Sequence, residues 1–222
     1  AVMFLREAFD EARWAVGGSD PNPPVGAVVV DPHCLTVLGR GFTQEPGKAH
    51  AEIRALEEAA QARPAGAYGA DLYVTLEPCS HYGRTPPCVD AIIKHGIRRV
   101  YIGVEDPWQG RAGQGINKLR EHGIEVEVSR FSYKFPSVAW SLGGFLSRSL
   151  RSRPLIVLKW AQSQNGHIAP GESSSGAISG RMAAEIVGRL RRLMSATLAT
   201  PGTIRHDWPR LNARYNNLSL ND

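Results

Sequence analysis

The sequence predicts an α/β fold in which one mixed β-sheet has helices on both of its faces, followed by the start of a second α/β unit. Three observations predict it. Patterns with helical spacing alternate with short runs of apolar and β-branched residues. Glycine and proline clusters separate these patterns. No run reaches the roughly 18 consecutive apolar residues of a membrane span, and 42% hydrophobic residues with a net charge of +5 are typical of a globular protein.

In the first part of the chain the predicted elements follow the order αββαβαβαβ. Residues 2–17 predict an amphipathic helix, which the segment GGSDPNPPVG breaks. The helix in AHAEIRALEEAAQA is expected to face inward with Ala51, Ile53, Leu56 and Ala60. The other elements are a strand over 25–31, its hairpin partner over 34–42, strands in ADLYVTLEP, RRVYIGV and IEVEV, and helices in PPCVDAIIKHG and GQGINKLREHG.

The pattern changes near residue 130, and the chain is expected to have three parts. A first domain takes residues 1–130, an aromatic- and serine-rich connecting segment takes 131–152, and an incomplete α/β domain takes 153–222. In the last part, RPLIVLKWAQS predicts a buried strand, SGRMAAEIVGRLRRLMSA a helix capped by Ser179, and TLATPGT a strand with a turn. Two strands and one helix are a poor basis for an independent core.

Charge and cysteine content limit the function classes only loosely. The mild positive charge fits an anionic small substrate or weak contact with nucleic acid, and the basic cluster from Arg189 to Arg192 is typical of a solvated helix face. Three cysteines argue against a disulfide framework and favour a reducing cytoplasm. Cys34 has no partner nearby and is expected to be a buried thiol. The acidic, helical N-terminal pattern is unlike a signal peptide.

Four residues with metal and acid–base chemistry stand at the ends of predicted elements. His50 and Glu52 (HAE) open a helix, Cys79 follows a strand (EPC), and Cys88 opens the next helix (PPC). One histidine and two thiolates leave the fourth tetrahedral position of Zn²⁺ to water, which is the composition of a catalytic site. Each residue alone is more often an ordinary helix residue or a buried thiol, but the joint pattern predicts a zinc site. The two cysteines are nine positions apart, more than the usual spacing of about two to four.

The spacing of His50 and Glu52 limits where the metal can lie. Residues two apart face roughly opposite sides of a regular helix, so these side chains converge only if the metal lies off the helix N-terminus. Zinc lowers the pKa of bound water to near neutrality. Glu52 would take that water's proton as hydroxide attacks an amidine-like ring carbon, and pass it to the leaving ammonia. The H-x-E and P-C motifs are those of zinc nucleobase deaminases.

Three stretches, SDPNPPVGAVVV, HAE and VTLEPCSHYGRTPPC, resemble the bifunctional riboflavin-biosynthesis deaminase/reductase family. GVEDPWQGRAGQGINKLREHGIEVEV and RPLIVLKWAQSQNGHIAPGESSSGAISG match its continuation and the start of its reductase domain. The resemblance implies a cytidine-deaminase-like three-layer αβα domain with a mixed sheet, followed by the start of a dihydrofolate-reductase-like domain. It implies zinc-dependent hydrolytic deamination of 2,5-diamino-6-ribosylamino-4(3H)-pyrimidinone 5′-phosphate, with His50, Cys79 and Cys88 as Zn²⁺ ligands and Glu52 as the proton shuttle.

The long loop between the two cysteines is the mark of this family, and the resemblance suggests a role for its residues. His81 and Arg84 are expected to contact the ribose phosphate of the substrate, because arginine suits phosphate geometry. The alternative is that they only order the loop. Asn22 precedes a strand that points at the site and is expected to bind the pyrimidine or the ribose, the alternative being an ordinary turn asparagine.

The resemblance also assigns contact residues in the reductase-like part. Those for the substrate are Ser175, Arg191, Leu211 and Arg214, and those for the cofactor NADPH are Thr203 and Asp207. The sequence departs from the family pattern at three places. It has SQNG where the family usually has SxDG, Ala177 where an aromatic residue is common, and RHDWPRL where xDDPxL is expected. It ends at Asp222 without a G-x-G-x-x-G loop, and no NADPH-dependent activity is expected at this length.

Two alternative functions stay open. A base deaminase acting on transfer RNA shares the fold and the zinc site, but the cysteine loop, the reductase-like tail and the lack of a concentrated basic face disfavour it. A non-catalytic zinc-binding scaffold would not need the carboxylate of Glu52. The expected partner is therefore a phosphorylated pyrimidine rather than nucleic acid or a membrane. By analogy with other deaminase-like domains, a homo-oligomer is also expected.

Overall fold

The computed structural model describes residues 2–108, 110–129, 141–168, 178–209 and 211. It divides into two compact units, residues 1–155 and residues 156–222. Among the described residues, no helix is both long enough and apolar enough to cross a lipid bilayer.

A single mixed sheet organises the first unit. Its five strands are β1 (Gly26–Val30), β2 (Val37–Phe42), β3 (Asp71–Leu76), β4 (Arg99–Val104) and β5 (Glu125–Val128). They lie in the order β2-β1-β3-β4-β5. Strand β1 is antiparallel to both β2 and β3, whereas β3, β4 and β5 are mutually parallel. The mixed sheet expected from the alternating pattern is therefore confirmed.

In the described residues of the first unit, five helices accompany the sheet: α1 (Val2–Ala12), α2 (Ala51–Ala62), α3 (Cys88–Lys94), α4 (Gln114–Glu121) and α5 (Gly143–Arg151). A Cβ at Gly26 would meet the backbone of α1, whereas a Cβ at Gly41 would meet the backbone of α2. Gly41 is paired with Ala27, the neighbour of Gly26 along β1, so the two glycines face opposite sides of the sheet. Helix α3 contacts α2 and α4. The first unit thus has three layers, with α1 on one face and α2, α3 and α4 on the other.

The central strands β1 and β3 are buried along their whole length, because helices cover both faces of the sheet there. This is why their sequences are nearly continuous apolar runs rather than alternating ones. Helix α5 adds Leu142 and Leu146 to the same hydrophobic core. The first unit accordingly has one contiguous core that extends past the last strand to α5.

Helix α2 packs closely on β2 through small residues. A Cβ at Gly41 would lie 2.3 Å from the carbonyl oxygen of Ala51, so the glycines of β2 let the helix backbone touch the strand. The buried face of α2 consists of Ala51, Glu52, Ala55, Leu56 and Ala59. The expectation that Ala60 faces inward is wrong: it is exposed, because the tight contact selects the alanines spaced four apart.

The expectation for Cys34 is also wrong, because this cysteine is exposed. The hairpin partner was placed at 34–42, but β2 begins only at Val37. Cys34 therefore lies in the turn between β1 and β2, where its side chain meets solvent.

In the second unit the structure describes two helices, α6 (Arg181–Leu193) and α7 (Pro201–Asp207). The described residues of this unit contain no β-strand. The strand expected over 153–163 is therefore wrong: Ile156 and Leu158 are 75% and 78% exposed. An apolar run becomes a buried strand only when neighbouring strands accept its backbone hydrogen bonds.

The helix ends in this unit also differ from expectation. Helix α6 has Gly180 at its N-cap without a side-chain cap, so Ser179 does not cap it. The segment TLATPGT, expected to be a strand and turn, instead leads into α7. Thr200 caps that helix by accepting a hydrogen bond from the backbone N–H of Thr203, and Pro201 occupies its first turn. A threonine followed by proline is a helix-start signal that the strand interpretation overlooked.

Candidate active site

His50, Cys79 and Cys88 come together at one point of the first unit. Their ligand atoms all lie within 4.8 Å of one another. His50 Nδ1 is 3.2 Å from the Sγ of Cys88 and 3.7 Å from the Sγ of Cys79. His50 is the N-cap of α2, Cys88 is the first residue of α3, and Cys79 follows the end of β3. Side chains at the ends of three elements therefore meet beyond the C-terminal end of β3, the central strand of the sheet.

The wide spacing of the two cysteines is bridged by backbone hydrogen bonds. The N–H of Cys88 donates to the Sγ of Cys79 at 3.3 Å, and the N–H of Val89 donates to the carbonyl oxygen of Cys79 at 3.2 Å. The first turn of α3 is thus hydrogen-bonded to Cys79, the cysteine that follows β3. Residues 80–87 leave this point and return to it, so the loop can lengthen without separating the sulfur atoms.

The donor set fits a zinc ion. One imidazole nitrogen and two sulfurs are preferred ligands of Zn²⁺, and three protein ligands leave one tetrahedral position open. The other ring nitrogen of His50, Nε2, lies 3.4 Å from the hydroxyl oxygen of Thr85. With Nδ1 towards the sulfurs, Nε2–H would donate to that hydroxyl. This contact would fix the tautomer and the orientation of the ring, as second-layer partners of metal-binding histidines do.

The two cysteines titrate as a pair. The hydrogen bond from the side chain of Cys88 lowers the pKa of Cys79 to about 4. The same contact, together with burial, raises the pKa of Cys88. The hydrogen bond with Cys79 also raises the pKa of His50, although burial acts the other way. Cys79 is therefore the more acidic thiol of the pair, and a bound dication would favour thiolate at both sulfurs.

Glu52 lies in the first turn of α2 and is only 4% exposed. Burial raises the pKa of its carboxyl group to about 7, with a further contribution from the negative charge of Cys79. A carboxyl group with this pKa can both accept and release a proton near neutral pH. Its position beside the three ligands is the arrangement that a proton shuttle needs.

A cavity of about 600 Å³ opens over this cluster. His50, Glu52 and Cys79 form part of its wall. Three residues expected from the sequence to bind substrate, Asn22, His81 and Arg84, line the same cavity. Arg84 is exposed, and within the described part of the chain its guanidinium has no ion pair or hydrogen bond. The cavity is large enough for a small organic ligand and has an unpaired cation in its wall.

Glu77 is a structural residue of the site that sequence reasoning missed. Its carboxylate accepts hydrogen bonds from four backbone N–H groups, those of Asp106, Gly113, Gly115 and Ile116, at 2.9 to 3.3 Å. These contacts fix the loop between β4 and α4 beside the cysteine turn. The EPC motif indicates a role for its cysteine, but no local sequence pattern reveals the hydrogen-bond partners of Glu77, which lie more than 28 positions away.

The loop that Glu77 holds contributes two further cavity residues. Trp108 and Arg111 both line the cavity, and the guanidinium carbon of Arg111 lies 5.0 Å from the centre of the Trp108 ring. Such a cation–π contact orients an arginine without neutralising its charge. Neither residue was among the sequence-based candidates.

The candidates of the second unit are only partly described. Arg191 lies on α6 and Thr203 in the first turn of α7, while Leu211 has a backbone φ of 37°. Asp207 is the last residue of α7. Ser175 and Arg214 lie outside the described residues, as does the side chain of Asp207. The proposed NADPH contacts therefore stay predictions.

Comparison with known families agrees with both units. Residues 2–104 match the cytidine and deoxycytidylate deaminase zinc-binding region, and residues 154–222 match the RibD C-terminal domain. The riboflavin biosynthesis protein RibD of Aquifex aeolicus is 40% identical over 212 residues, which are 96% of this chain and 57% of that protein. The RibD of Bacillus amyloliquefaciens is 39% identical over 95% of this chain and 54% of that protein. The chain thus spans little more than half the length of these relatives.

Solved structures agree. A diaminohydroxyphosphoribosylaminopyrimidine deaminase/5-amino-6-(5-phosphoribosylamino)uracil reductase from Thermotoga maritima superposes with a TM-score of 0.83 at 37% identity. The match covers 97% of this chain and 59% of that one. Acinetobacter baumannii RibD gives a TM-score of 0.79 at 34% identity, covering 99% of this chain and 59% of that one.

Proposed function

Because the chain belongs to the RibD deaminase/reductase family of riboflavin biosynthesis, we propose that its first unit is a zinc-dependent hydrolytic deaminase. The proposed substrate is 2,5-diamino-6-ribosylamino-4(3H)-pyrimidinone 5′-phosphate. The observation that carries this proposal is the position of Glu52, a buried carboxyl group with a raised pKa that lines the same cavity as His50 and Cys79. A site that only held a metal for stability would gain nothing from a carboxyl group kept at this cost in burial.

His50, Cys79 and Cys88 are the proposed ligands, with Nδ1 of the histidine and both sulfurs facing the metal. When bound there, zinc lowers the pKa of a coordinated water towards neutrality and so supplies a nucleophile. Thr85 orients the imidazole from its other side. The three ligands come from separate elements of one packed core, and three protein ligands would leave one position of a zinc ion to water.

Glu52 moves the proton in the proposed reaction. Its carboxylate accepts a proton from the attacking water as the new C–O bond forms at the ring carbon that carries the amino group. The protonated carboxyl then gives that proton to the ring nitrogen. Glu52 next accepts the proton of the new hydroxyl group and passes it to the amino nitrogen, so that a C=O bond forms, the C–N bond breaks and ammonia leaves. The products are the uracil derivative and ammonia, and Glu52 returns to its starting state. A pKa of about 7 suits a group that must do both.

The cavity wall supplies the proposed substrate contacts. Asn22 would bind the pyrimidine or ribose by its amide, and His81 and Arg84 would bind the ribose phosphate. Arg84 suits this role because arginine binds phosphate oxygens through two parallel N–H groups and because no acidic residue of the described chain pairs with it. Positive charge in the wall also attracts the anionic substrate.

For the second unit we propose a contribution to the reductase reaction, supported by the match of residues 154–222 to the RibD C-terminal domain. Ser175, Arg191, Leu211 and Arg214 are the proposed substrate contacts, and Thr203 and Asp207 the proposed contacts with NADPH. A cytoplasmic location and a homo-oligomer likewise stay predictions from the sequence.

The test is an ultraviolet assay of deamination with the zinc-loaded chain, run with and without NADPH and followed by release of ammonia. The expected result is deamination of the pyrimidine ribotide and none of an anticodon stem-loop RNA. Formation of a ribitol product with NADPH would support the reductase assignment. Absence of ammonia release with fully loaded protein would contradict the deaminase assignment.

A further inference from the structure

Helix α5 forms a wall of the active-site cavity, although it follows the last strand of the sheet. Phe145, Arg148, Ser149 and Ser152 line the cavity together with His50 and Glu52. Phe145, Arg148 and Ser149 are three and four positions apart, which places them on one face of the helix, and Ser152 is its C-cap. Leu142 and Leu146 lie on a different face and are buried in the hydrophobic core. The helix is therefore anchored by one face and presents the other to the ligand.

Apart from Phe145, the residues of α5 and its C-cap that line the cavity are polar, and their side chains are largely free to bind. Within the described part of the chain, the hydroxyl groups of Ser149 and Ser152 have no hydrogen-bond partner. Arg148 is exposed and donates one hydrogen bond, from Nη2 to the carbonyl oxygen of Pro21 at 3.0 Å. A guanidinium group has five N–H donors. Most of those of Arg148 are thus available for an anionic ligand in the cavity.

The contact with Pro21 also relates α5 to another part of the site. Pro21 precedes Asn22, the residue proposed to bind the pyrimidine or ribose, and 127 positions separate Pro21 from Arg148. Arg148 therefore lies beside the Asn22 wall of the cavity. The matched zinc-binding region ends at residue 104, so this wall is built by chain that follows the zinc-binding core.

We propose that α5 is a specificity element of the deaminase cavity and that Arg148, aided by the hydroxyls of Ser149 and Ser152, binds the sugar-phosphate end of the substrate. The inference rests on the proposed function, which it deepens by adding a helix outside the zinc-binding core to His81 and Arg84 in the recognition of the phosphorylated ribose. A cation with free N–H groups and two free hydroxyls matches the acceptor oxygens of a phosphate and the hydroxyls of a ribose.

The first test measures binding without catalysis. The probe is ribose 5-phosphate, titrated by calorimetry into the zinc-loaded chain and into Arg148→Ala, Arg148→Gln and Arg148→Lys. Arg151→Ala is the matched control, because Arg151 is on the same helix but does not line the cavity. Loss of a charge-assisted hydrogen bond predicts roughly 10- to 100-fold weaker binding for the alanine and glutamine variants. Arg148→Lys should keep part of the affinity for ribose 5-phosphate, and Arg151→Ala should bind it as the wild type does.

Arg148→Gln keeps an amide donor near Pro21 while removing the charge, so it answers the question even if Arg148→Ala folds poorly. Equal affinity in the Arg148 and Arg151 variants would overturn the inference. So would a wild-type chain that does not bind ribose 5-phosphate at millimolar concentration.

The second test separates recognition from positioning. KM and kcat are measured for the pyrimidine ribotide and for its dephosphorylated nucleoside. Arg148→Gln should raise KM for the ribotide, with kcat little changed, and should raise KM much less for the nucleoside, which has no phosphate for the guanidinium to bind. An equal loss of kcat for both substrates would mean that Arg148 only holds the Pro21–Asn22 turn, which contradicts a role in phosphate recognition. If wild type deaminates neither compound but ribose 5-phosphate binding still depends on Arg148, the proposed function fails and the binding role of α5 stands.

Discussion

His50 Nδ1 lies 3.2 Å from the sulfur of Cys88, although 38 positions separate the two residues in the chain. The N-cap of α2, the first residue of α3 and the turn after β3 bring the ligand atoms together at the C-terminal end of the central strand β3. A metal site assembled in this way depends on the packing of those helices as much as on the ligands themselves.

Replacement of Cys88 tests the ligand set. We expect Cys88→Ser to lower zinc from about one ion per chain to a small fraction, because hydroxyl oxygen is a poor zinc ligand compared with thiolate. Zinc is measured by mass spectrometry of the purified protein, with circular dichroism as the test of folding. Cys34→Ser is the control, since Cys34 is exposed in a turn. Full zinc content in the folded Cys88 variant would exclude this sulfur from the site.

Thr85 is expected to tune the affinity for zinc through His50. Thr85→Val keeps the shape of the side chain but removes the hydroxyl that lies 3.4 Å from Nε2. Loss of such a partner typically weakens metal binding by about 10- to 100-fold. Competition with a chromogenic chelator measures the affinity, and Thr36→Val, at an exposed position of the β1–β2 turn, is the control. Unchanged affinity would show that the ring needs no such support.

Glu77 is expected to contribute to stability through its four backbone partners. In Glu77→Gln the amide nitrogen cannot accept hydrogen bonds, so the two N–H groups that donated to one carboxylate oxygen lose their acceptor. Each unsatisfied buried donor costs about 1–3 kcal/mol, and the free energy of unfolding should fall by about 2 kcal/mol or more. Urea denaturation measures this, with exposed Glu45→Gln as control. Equal stability of the two variants would show that the four hydrogen bonds to Glu77 do not stabilise the fold.

Gly41 is expected to be needed for the position of α2. A Cβ there would lie 2.3 Å from the carbonyl oxygen of Ala51, directly beside His50 and Glu52. Gly41→Ala must push the helix outward, at a cost of roughly 1–3 kcal/mol, and should also reduce zinc affinity. Gly18→Ala is the control, because its nearest atom would be 3.8 Å away. If Gly41→Ala unfolds at the same urea concentration as wild type, the close approach has no energetic consequence.

Much of the first unit was predictable from sequence because its signals are local. The apolar runs of β1 and β3 report burial on both faces, and glycine and proline mark the element boundaries. Four chemically active residues at element ends were sufficient to predict that His50, Cys79 and Cys88 come together beside Glu52. Cys34 and Ala60 were misassigned because a shift of a few residues in a boundary or in a helix face decides burial.

The remainder of the site depends on contacts between distant parts of the chain. Neither the partners of Glu77 nor the contact of Arg148 with Pro21 produces a pattern within one segment. The segment 153–163 shows the opposite case, a local strand signal without a strand. Its apolar residues match the pattern of a buried strand, but the described residues of that unit provide no neighbouring strand. Whether such a run is buried as a strand depends on the presence of neighbouring strands, which the run itself does not reveal.

The role of Glu52 is the central claim, and one measurement tests it directly. Glu52→Gln replaces the proton-carrying group with one of nearly equal size and leaves His50, Cys79 and Cys88 in place. Ammonia release and zinc content are measured on the same preparation. We expect deamination to fall by a factor of about 100 or more, as is typical of a lost general acid–base, with zinc still bound at about one ion per chain. A variant that retains zinc and the wild-type rate of ammonia release would contradict the account.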